Sequence, residues 1–281
     1  MRVRKPAVAG SFYPDSNHDL LQMIEKCFSH SYGPQKKPPA DRDRDKDRKI
    51  IGMVCPHAGY MYSGPVAANS YYAASSLKID LVVMIGPNHY GVGSGVATMK
   101  EGSWETPLGS ISVDTKAAEK VVKISGIIDF DDDAHKEDHC LEVQLPMLQY
   151  IYKDFEIVPI IMWMQDKDTA DDVGKAVAEI VKDRNYLLIA SSDFTHYEPN
   201  EEAHRKDNEL IKTILELDVN KYYTVLRRLQ VSACGYGAIA SIMIASKILG
   251  AKKGELLKYA TSGDVVDKKD SVVGYGSILF T

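Results

Sequence analysis

Three short apolar runs in this chain each end in a turn that carries a histidine. Residues 50–54 lead into Cys55-Pro56-His57-Ala58-Gly59-Tyr60, and residues 81–85 into Gly86-Pro87-Asn88-His89-Tyr90. Residues 186–190 lead into Ser191-Ser192-Asp193-Phe194-Thr195-His196-Tyr197. A single histidine after a strand is ordinarily a hydrogen-bonded surface group. Three in matching places, among eight histidines in all, point to a shared site. In an open parallel sheet the carboxyl ends of the strands lie on one edge, where ligands bind. A fourth group is Cys234, set in Val231-Ser232-Ala233-Cys234-Gly235-Tyr236-Gly237 ahead of an apolar helical stretch. A thiol at a helix N-terminus has its thiolate favoured by unsatisfied N–H groups and the helix dipole. The flanking glycines let a ligand approach the backbone closely. Imidazoles with one thiolate suit a borderline or soft ion such as Fe, Cu or Zn better than Mg or Ca. Asp193, three residues before His196, is placed to orient an imidazole or accept its N–H.

The densest polar cluster is Asp133-Ala134-His135-Lys136-Glu137-Asp138-His139-Cys140-Leu141-Glu142-Val143-Gln144-Leu145. His135 and His139, or His139 and Glu142, would share a face of a helix. The metalloprotease pattern H-E-x-x-H fails because residue 136 is Lys, and the inverted form fails because residue 138 is Asp. His139 and Glu142 remain as supporting or substrate-binding candidates; the plainer alternative is a helix start with Glu142 and Gln144 partly solvated. No GxGxxG opens a helix, and neither GxxxxGK(S/T) nor GxSxG occurs, so nucleotide cofactors and serine hydrolysis have no support.

Positioning these groups requires strands alternating with helices, and the pattern supplies them. Strands are expected over residues 50–54, 81–85, 155–162, 186–190 and 256–260. Helices are expected over 17–30, 66–76, 115–123, 169–182, 201–217 and 238–249. Continuous apolar strands between helices imply an α/β fold with a largely parallel or mixed central sheet covered on both faces. Residues 103–114 and 271–281 break the rhythm and read as hairpins or edge strands. Residues 1–16 read as an ordered arm and 33–49, rich in Pro and alternating charge, as a solvated loop. No domain boundary is visible, so a single domain over 1–281 is expected.

Composition limits the function classes. The chain has 281 residues, 44% apolar and 26% charged, with a formal net charge of −5, which argues against a sequence-independent nucleic-acid binder. No apolar run approaches the ~18 residues of a membrane span, and none near the N-terminus suits a signal peptide. Cysteines at 27, 55, 140 and 234 contain no CxxC and form no disulfide framework. These features fit a soluble protein of a reducing cytoplasm.

The strings AGSFYP (9–14), PHAGYMYSG (56–64), GPNHYG (86–91), WETPLGSISVD (104–114), HCLEVQLPMLQ (139–149), SSDFTHY (191–197), CGYGAI (234–239) and the SGD and VGYGS segments of 262–277 resemble the Memo family. They run in order through almost the whole chain outside residues 33–49. The resemblance implies a fold similar to the class III extradiol dioxygenases, non-haem iron enzymes that open catechol rings. It implies His57, His89 and Cys234 as metal ligands, with Cys234 where the dioxygenases have a carboxylate, and His196 as the acid/base with Asp193 beside it. Thiolate in that place changes the charge and redox behaviour of the ion and departs from the ring-opening pattern. The implied cofactor is Fe(II) or Cu, with Zn as a third choice. The family is associated with phosphotyrosine-dependent signalling, cell motility and metal-linked redox chemistry in animals. In prokaryotes it is associated with a radical SAM protein and an AMMECR1-like protein. The expected function is a metal-dependent redox protein of unknown substrate. The alternative is a non-catalytic peptide or phosphotyrosine-type binding module, or a scaffold, using the same pocket. A small-molecule or peptide ligand is expected there, with no nucleic acid and no membrane. The Asp138 and Cys140 flanking His139 depart slightly from the family pattern, with little consequence expected.

Overall fold

The computed structural model describes residues 2–39 and 50–281. In chain order it begins β1 (Val3–Arg4), α1 (Asn17–Ser29), β2 (Gly52–Cys55), α2 (Gly64–Ala74), β3 (Leu81–Pro87), β4 (Val96–Thr98), β5 (Ser103–Thr106) and β6 (Gly109–Ser112). Then come α3 (Thr115–Ile124), β7 (Asp129–Phe130), two 3-10 turns at Asp133–His135 and Glu142–Gln144, α4 (Leu145–Ile151), β8 (Glu156–Met162) and α5 (Lys167–Val181). The chain ends with β9 (Tyr186–Ser191), β10 (His196–Glu198), α6 (Asn200–Leu215), α7 (Val219–Leu229), α8 (Tyr236–Ile248), β11 (Gly254–Thr261), α9 (Ser262–Val266) and β12 (Val272–Phe280).

The centre of the large sheet is four parallel strands in the order β2-β9-β3-β8. Their residues alternate between two cores. Val54, Val83, Ile85, Leu188 and Ala190 pack with α5 and α8 on one face. Met53, Cys55, Val82, Met84, Leu187 and Ile189 pack with α1, α2 and α4 on the other. Both faces are dry, which is why these strands read as unbroken apolar runs rather than alternating ones. The sheet is mixed at its flanks: β4 runs antiparallel to β8, and β12 antiparallel to β2. Helix α5 starts two residues before the apolar periodicity implies, because the Asp166 side chain accepts from the N–H groups of Asp168 and Thr169.

Residues 103–114 do form a hairpin, β5 with β6, and β1 adds to it in parallel. The C-terminal segment is not an edge. Strand β12 is hydrogen-bonded to β2, β10 and β11 and is buried along nearly its whole length. Gly274 permits this packing, because a Cβ there would fall 2.0 Å from Asp207 Oδ2. Of the expected loop 33–49, residues 33–39 carry neither helix nor strand, and residues 40–49 lie outside the described residues. Among the described residues no helix is long and apolar enough to cross a membrane.

Candidate metal centre

Parallel pairing fixes where the turns lie. Cys55 is opposite Ser191, and Ile85 opposite Ala190, so β2, β3 and β9 end together on one edge. Helix α8 packs on β3 and β9, which brings the residues before it to the same edge. The result is a pocket of about 680 Å³ whose lining includes His57, His89, His139, Asp193, His196 and Cys234, with Phe12, Tyr62 and Tyr197 around them. One ligand atom each from His57, His89 and Cys234 lie within 4.8 Å of one another. His57 Nε2 is 3.2 Å from Cys234 Sγ. His89, Asp138 and His139 form a second such group that shares His89.

Hydrogen bonds settle which imidazole nitrogens are free. Ser191 Oγ donates to the carbonyl of Cys140 at 2.7 Å and accepts from Gln144 Nε2 at 2.8 Å. Its remaining role toward His57 Nδ1, at 2.9 Å, is to accept. His57 therefore carries its proton on Nδ1, and Nε2 presents a lone pair toward Cys234. Gln144 cannot be turned round, since its Oε1 meets the Tyr71 hydroxyl and its Nε2 donates to the Pro56 carbonyl. His89 Nδ1 lies 3.1 Å from Asp138 Oδ1, which fixes the proton there and leaves Nε2 free. His196 Nδ1 faces the carbonyls of Phe194 and Ser232 at 2.7 and 2.9 Å, so it too is the Nδ1–H form when neutral. Imidazoles held in this way by outer partners are the arrangement metal sites use.

Burial sets the charge states. It pushes the His57 pKa well below its ordinary value, and neighbouring His139 and His89 lower it further. It brings His139 down to about 4. Asp138 is pushed up by burial, but the His89 hydrogen bond and charge and the N–H groups of Cys140 and His89 outweigh this and hold it low. Asp193 is raised to about 6 by burial, against the pull of His196. Its carboxylate accepts from the His57 backbone N–H at 2.8 Å, so it holds His57 by the main chain. The orienting role toward His196 belongs instead to the two carbonyls.

Several expectations are corrected by these contacts. Burial first, and the Asp193 charge second, push the Cys234 pKa up, beyond what the N–H groups of Asp193 and Gly235 recover. Without a cation nearby the sulfur stays protonated, so the helix terminus alone does not make a thiolate. Glu142 and Gln144 are buried rather than solvated. Glu142 lies away from the pocket lining and accepts from Arg4 Nη1, Tyr13 Oη and the N–H groups of Ala7 and Val8. It anchors the N-terminal arm, whose Phe12 ring sits 4.6 Å from the His139 ring. His135 and His139 do not share a helix face: residues 136–141 are not helical, and His135 is buried against Trp104 instead. Asp138, expected to matter little, is the carboxylate that carries His89. Ser191 and Gln144 lie inside the strings SSDFTHY and HCLEVQLPMLQ, but no spacing marked their role.

A sequence profile described as Memo-like protein matches residues 4–279. A MEMO1 family protein of Nitrosopumilus maritimus is 53% identical over 279 residues, 99% of each chain. Another, of Methanopyrus kandleri, is 48% identical over 281 residues, covering 99% of this chain and 98% of that one. Among solved structures, an uncharacterized protein of Escherichia coli K12 superposes with a TM-score of 0.53 at 14% identity. The match covers 83% of this chain and all of that one, which is a likeness of fold.

Proposed function

The chain belongs to the Memo family, and from that premise we propose that its pocket is the metal centre of a redox protein. The observation that carries this reading is the convergence of His57, His89 and Cys234 ligand atoms within 4.8 Å. The donor set fits the group: two neutral imidazoles offering Nε2 and one sulfur suit iron or copper, with zinc also accommodated, and are poor partners for Mg or Ca. Such an ion would supply an open position at which an oxidant or substrate is activated. Its charge also offsets the burial that keeps the Cys234 thiol protonated.

The protein's own residues then have distinct tasks. Ser191 and Asp138 hold the His57 and His89 rings by Nδ1, so that Nε2 of each would be the atom that binds the ion. His196, with Nδ1 committed to carbonyl oxygens, offers Nε2 as the group that takes or returns a proton at a bound substrate. Asp193 keeps the His57 turn and the Cys234 sulfur together, accepting from one backbone N–H and donating its own N–H to Sγ at 3.3 Å. Phe12, Tyr62 and Tyr197 provide apolar walls for the ligand. The alternative of a phosphotyrosine-type module has weaker support: among the described residues no Lys or Arg lines the pocket, and burial favours the neutral forms of His57 and His139.

The test is anaerobic purification, metal analysis, and oxygen uptake with panels of catechols and thiols. About one iron or copper ion per chain is expected, with binding weakening as pH falls. Stoichiometric metal in a His57→Ala, His89→Ala, Cys234→Ala triple variant would overturn the ligand assignment. Metal binding with no electron or oxygen transfer to any substrate class would overturn the redox role.

A further inference from the structure

The N-terminus of α8, two residues beyond Cys234, lacks a side-chain cap of its own. Its N-cap residue is Gly235, which has no side-chain oxygen for the first-turn N–H groups. Gln165 supplies that oxygen from the turn after β8. Its Oε1 accepts from the Gly237 N–H at 2.8 Å, and its Nε2 donates to the Cys234 carbonyl at 2.9 Å. The amide orientation is forced, because only the NH2 can serve a carbonyl and only the oxygen can serve an N–H. Gln165 is itself fixed, since its own carbonyl accepts from the Tyr223 hydroxyl at 2.8 Å. Close approach depends on glycine at 237, where a Cβ would lie 2.7 Å from Gln165 Cβ. On the other side of Cys234, the Gly235 N–H is held by Ser192 Oγ at 2.9 Å. The backbone carrying the sulfur is thus gripped between the ends of β8 and β9.

We propose that Gln165 is a positioning residue of the metal centre. It holds the Cys234 main chain so that Sγ stands 3.2 Å from His57 Nε2 and within reach of the same ion. The inference deepens the metal-centre reading and rests on it, because Cys234 is the ligand being positioned. It also makes β8 a fourth strand serving the site, although β8 contributes no ligand. Outer partners of this kind typically affect metal affinity by about 10–100-fold when removed.

The experiment uses the full chain loaded with Co(II), whose thiolate-to-metal absorption reports the sulfur ligand directly. Gln165→Met, which loses both hydrogen bonds, is expected to weaken Co(II) binding by about 10-fold and reduce the thiolate band. Gln165→Glu separates positioning from simple helix support. It keeps an acceptor for Gly237 but sets a carboxylate against the Cys234 carbonyl. A negative charge at the α8 N-terminus offsets part of that repulsion, so metal-free melting is expected to fall less than in the Met variant while the band and affinity fall as far. If Gln165→Met fails to fold, the Glu variant decides alone. A wild-type band and affinity in Gln165→Glu overturn the proposal. A wild-type protein with no thiolate band would instead defeat the metal reading, and a metal-free arm then decides. There, iodoacetamide is expected to label Cys234 several-fold faster in the neutral Gln165→Met variant than in wild type, because the released main chain exposes the sulfur, with Cys27, Cys55 and Cys140 unchanged. Equal labelling of Cys234 in the two proteins overturns the positioning role.

Discussion

The His57 imidazole and the Ser191 hydroxyl meet at 2.9 Å, and in that pair Ser191 can only accept. Its single proton is directed to the Cys140 carbonyl, so the imidazole must donate from Nδ1. Ser191→Ala removes the acceptor and leaves a buried N–H unsatisfied, at a cost of about 1–3 kcal/mol. It also releases the tautomer, so metal affinity is expected to fall by about 10–100-fold. Competition against a chelator measures the affinity, and denaturant unfolding the stability. Unchanged metal affinity in Ser191→Ala would show that the Nδ1–H form is not what prepares the ligand.

Asp138 makes the corresponding prediction for His89. Its carboxylate accepts from His89 N at 2.7 Å, from the Cys140 N–H at 2.9 Å, and meets His89 Nδ1. Asp138→Asn keeps the shape but replaces one acceptor with a donor and removes the charge. His89 becomes a weaker ligand, and affinity is expected to drop by about 10–100-fold, while Glu137→Gln nearby has no effect. Equal affinities in the two variants would remove Asp138 from the centre.

The strands and the shared edge were legible because both leave local marks: unbroken apolar runs, and a histidine within a few residues of the end of three of them, although His196 itself opens β10 rather than lying in a turn. Cys234 was legible from its glycines and the apolar helix that follows. What supports these ligands was not. Ser191, Gln144 and Asp138 act through the register of β2 against β9 and the course of an irregular segment, which no periodicity encodes. Asp138 and Glu142 lie in one polar cluster, yet one faces the pocket edge and the other the arm. A helical reading of residues 133–145 could not separate them, because 3-10 turns replace the helix there. Strand β12 was misjudged as a possible edge because residues 271–281 break the alternation of strands and helices, whereas its glycines admit Asp207 and Phe194 against the sheet.

Acid should destabilise the metal-free protein with a slope set mainly by buried imidazoles and carboxyls. Burial holds His57 well below its ordinary pKa, His135 at about 3 and His139 at about 4. The unfolded chain therefore takes up protons on these imidazoles below about 6.5 that the folded chain refuses. Asp193 and Asp207 act oppositely: burial raises each to about 6, so the folded chain takes up their protons first. Three imidazoles against two carboxyls leave unfolding to bind roughly one extra proton between about pH 6 and 5, and Asp138, held low in the folded chain, adds to this as pH nears 4. Stability should fall on acidification by about 1.4 kcal/mol per pH unit over that window. Urea unfolding across the range measures it. Asp207→Asn should steepen the slope and His135→Gln should flatten it; the same slope in all three proteins would contradict the assigned groups.

The buried Arg4–Glu142 pair makes the arm part of the pocket wall. Arg4 Nη1 lies 2.6 Å from Glu142 Oε2, with both side chains almost fully buried. Arg4 also donates to the carbonyls of His135 and Asp138 and lies over the Trp104 ring. Glu142 additionally receives the Ala7 and Val8 N–H groups and the Tyr13 hydroxyl. Removing one member of such a pair leaves an uncompensated buried charge, typically costing about 3–5 kcal/mol. Glu142→Leu should be the worse of the two single changes, because it strands a guanidinium and three further donors. Arg4→Met leaves the carboxylate with those donors still in place. The double variant should recover part of the Glu142→Leu loss by removing the stranded charge, but not the share due to the arm's own donors. Limited proteolysis should then cut within residues 2–16 of Glu142→Leu while sparing Arg4→Met, since the backbone N–H groups are what Glu142 holds. Metal affinity should change much less than in Ser191→Ala, because neither residue touches a ligand ring. If Glu142→Leu instead loses metal as severely as Ser191→Ala while its arm stays protected, Glu142 acts on the centre directly and its assignment as the arm's anchor is wrong.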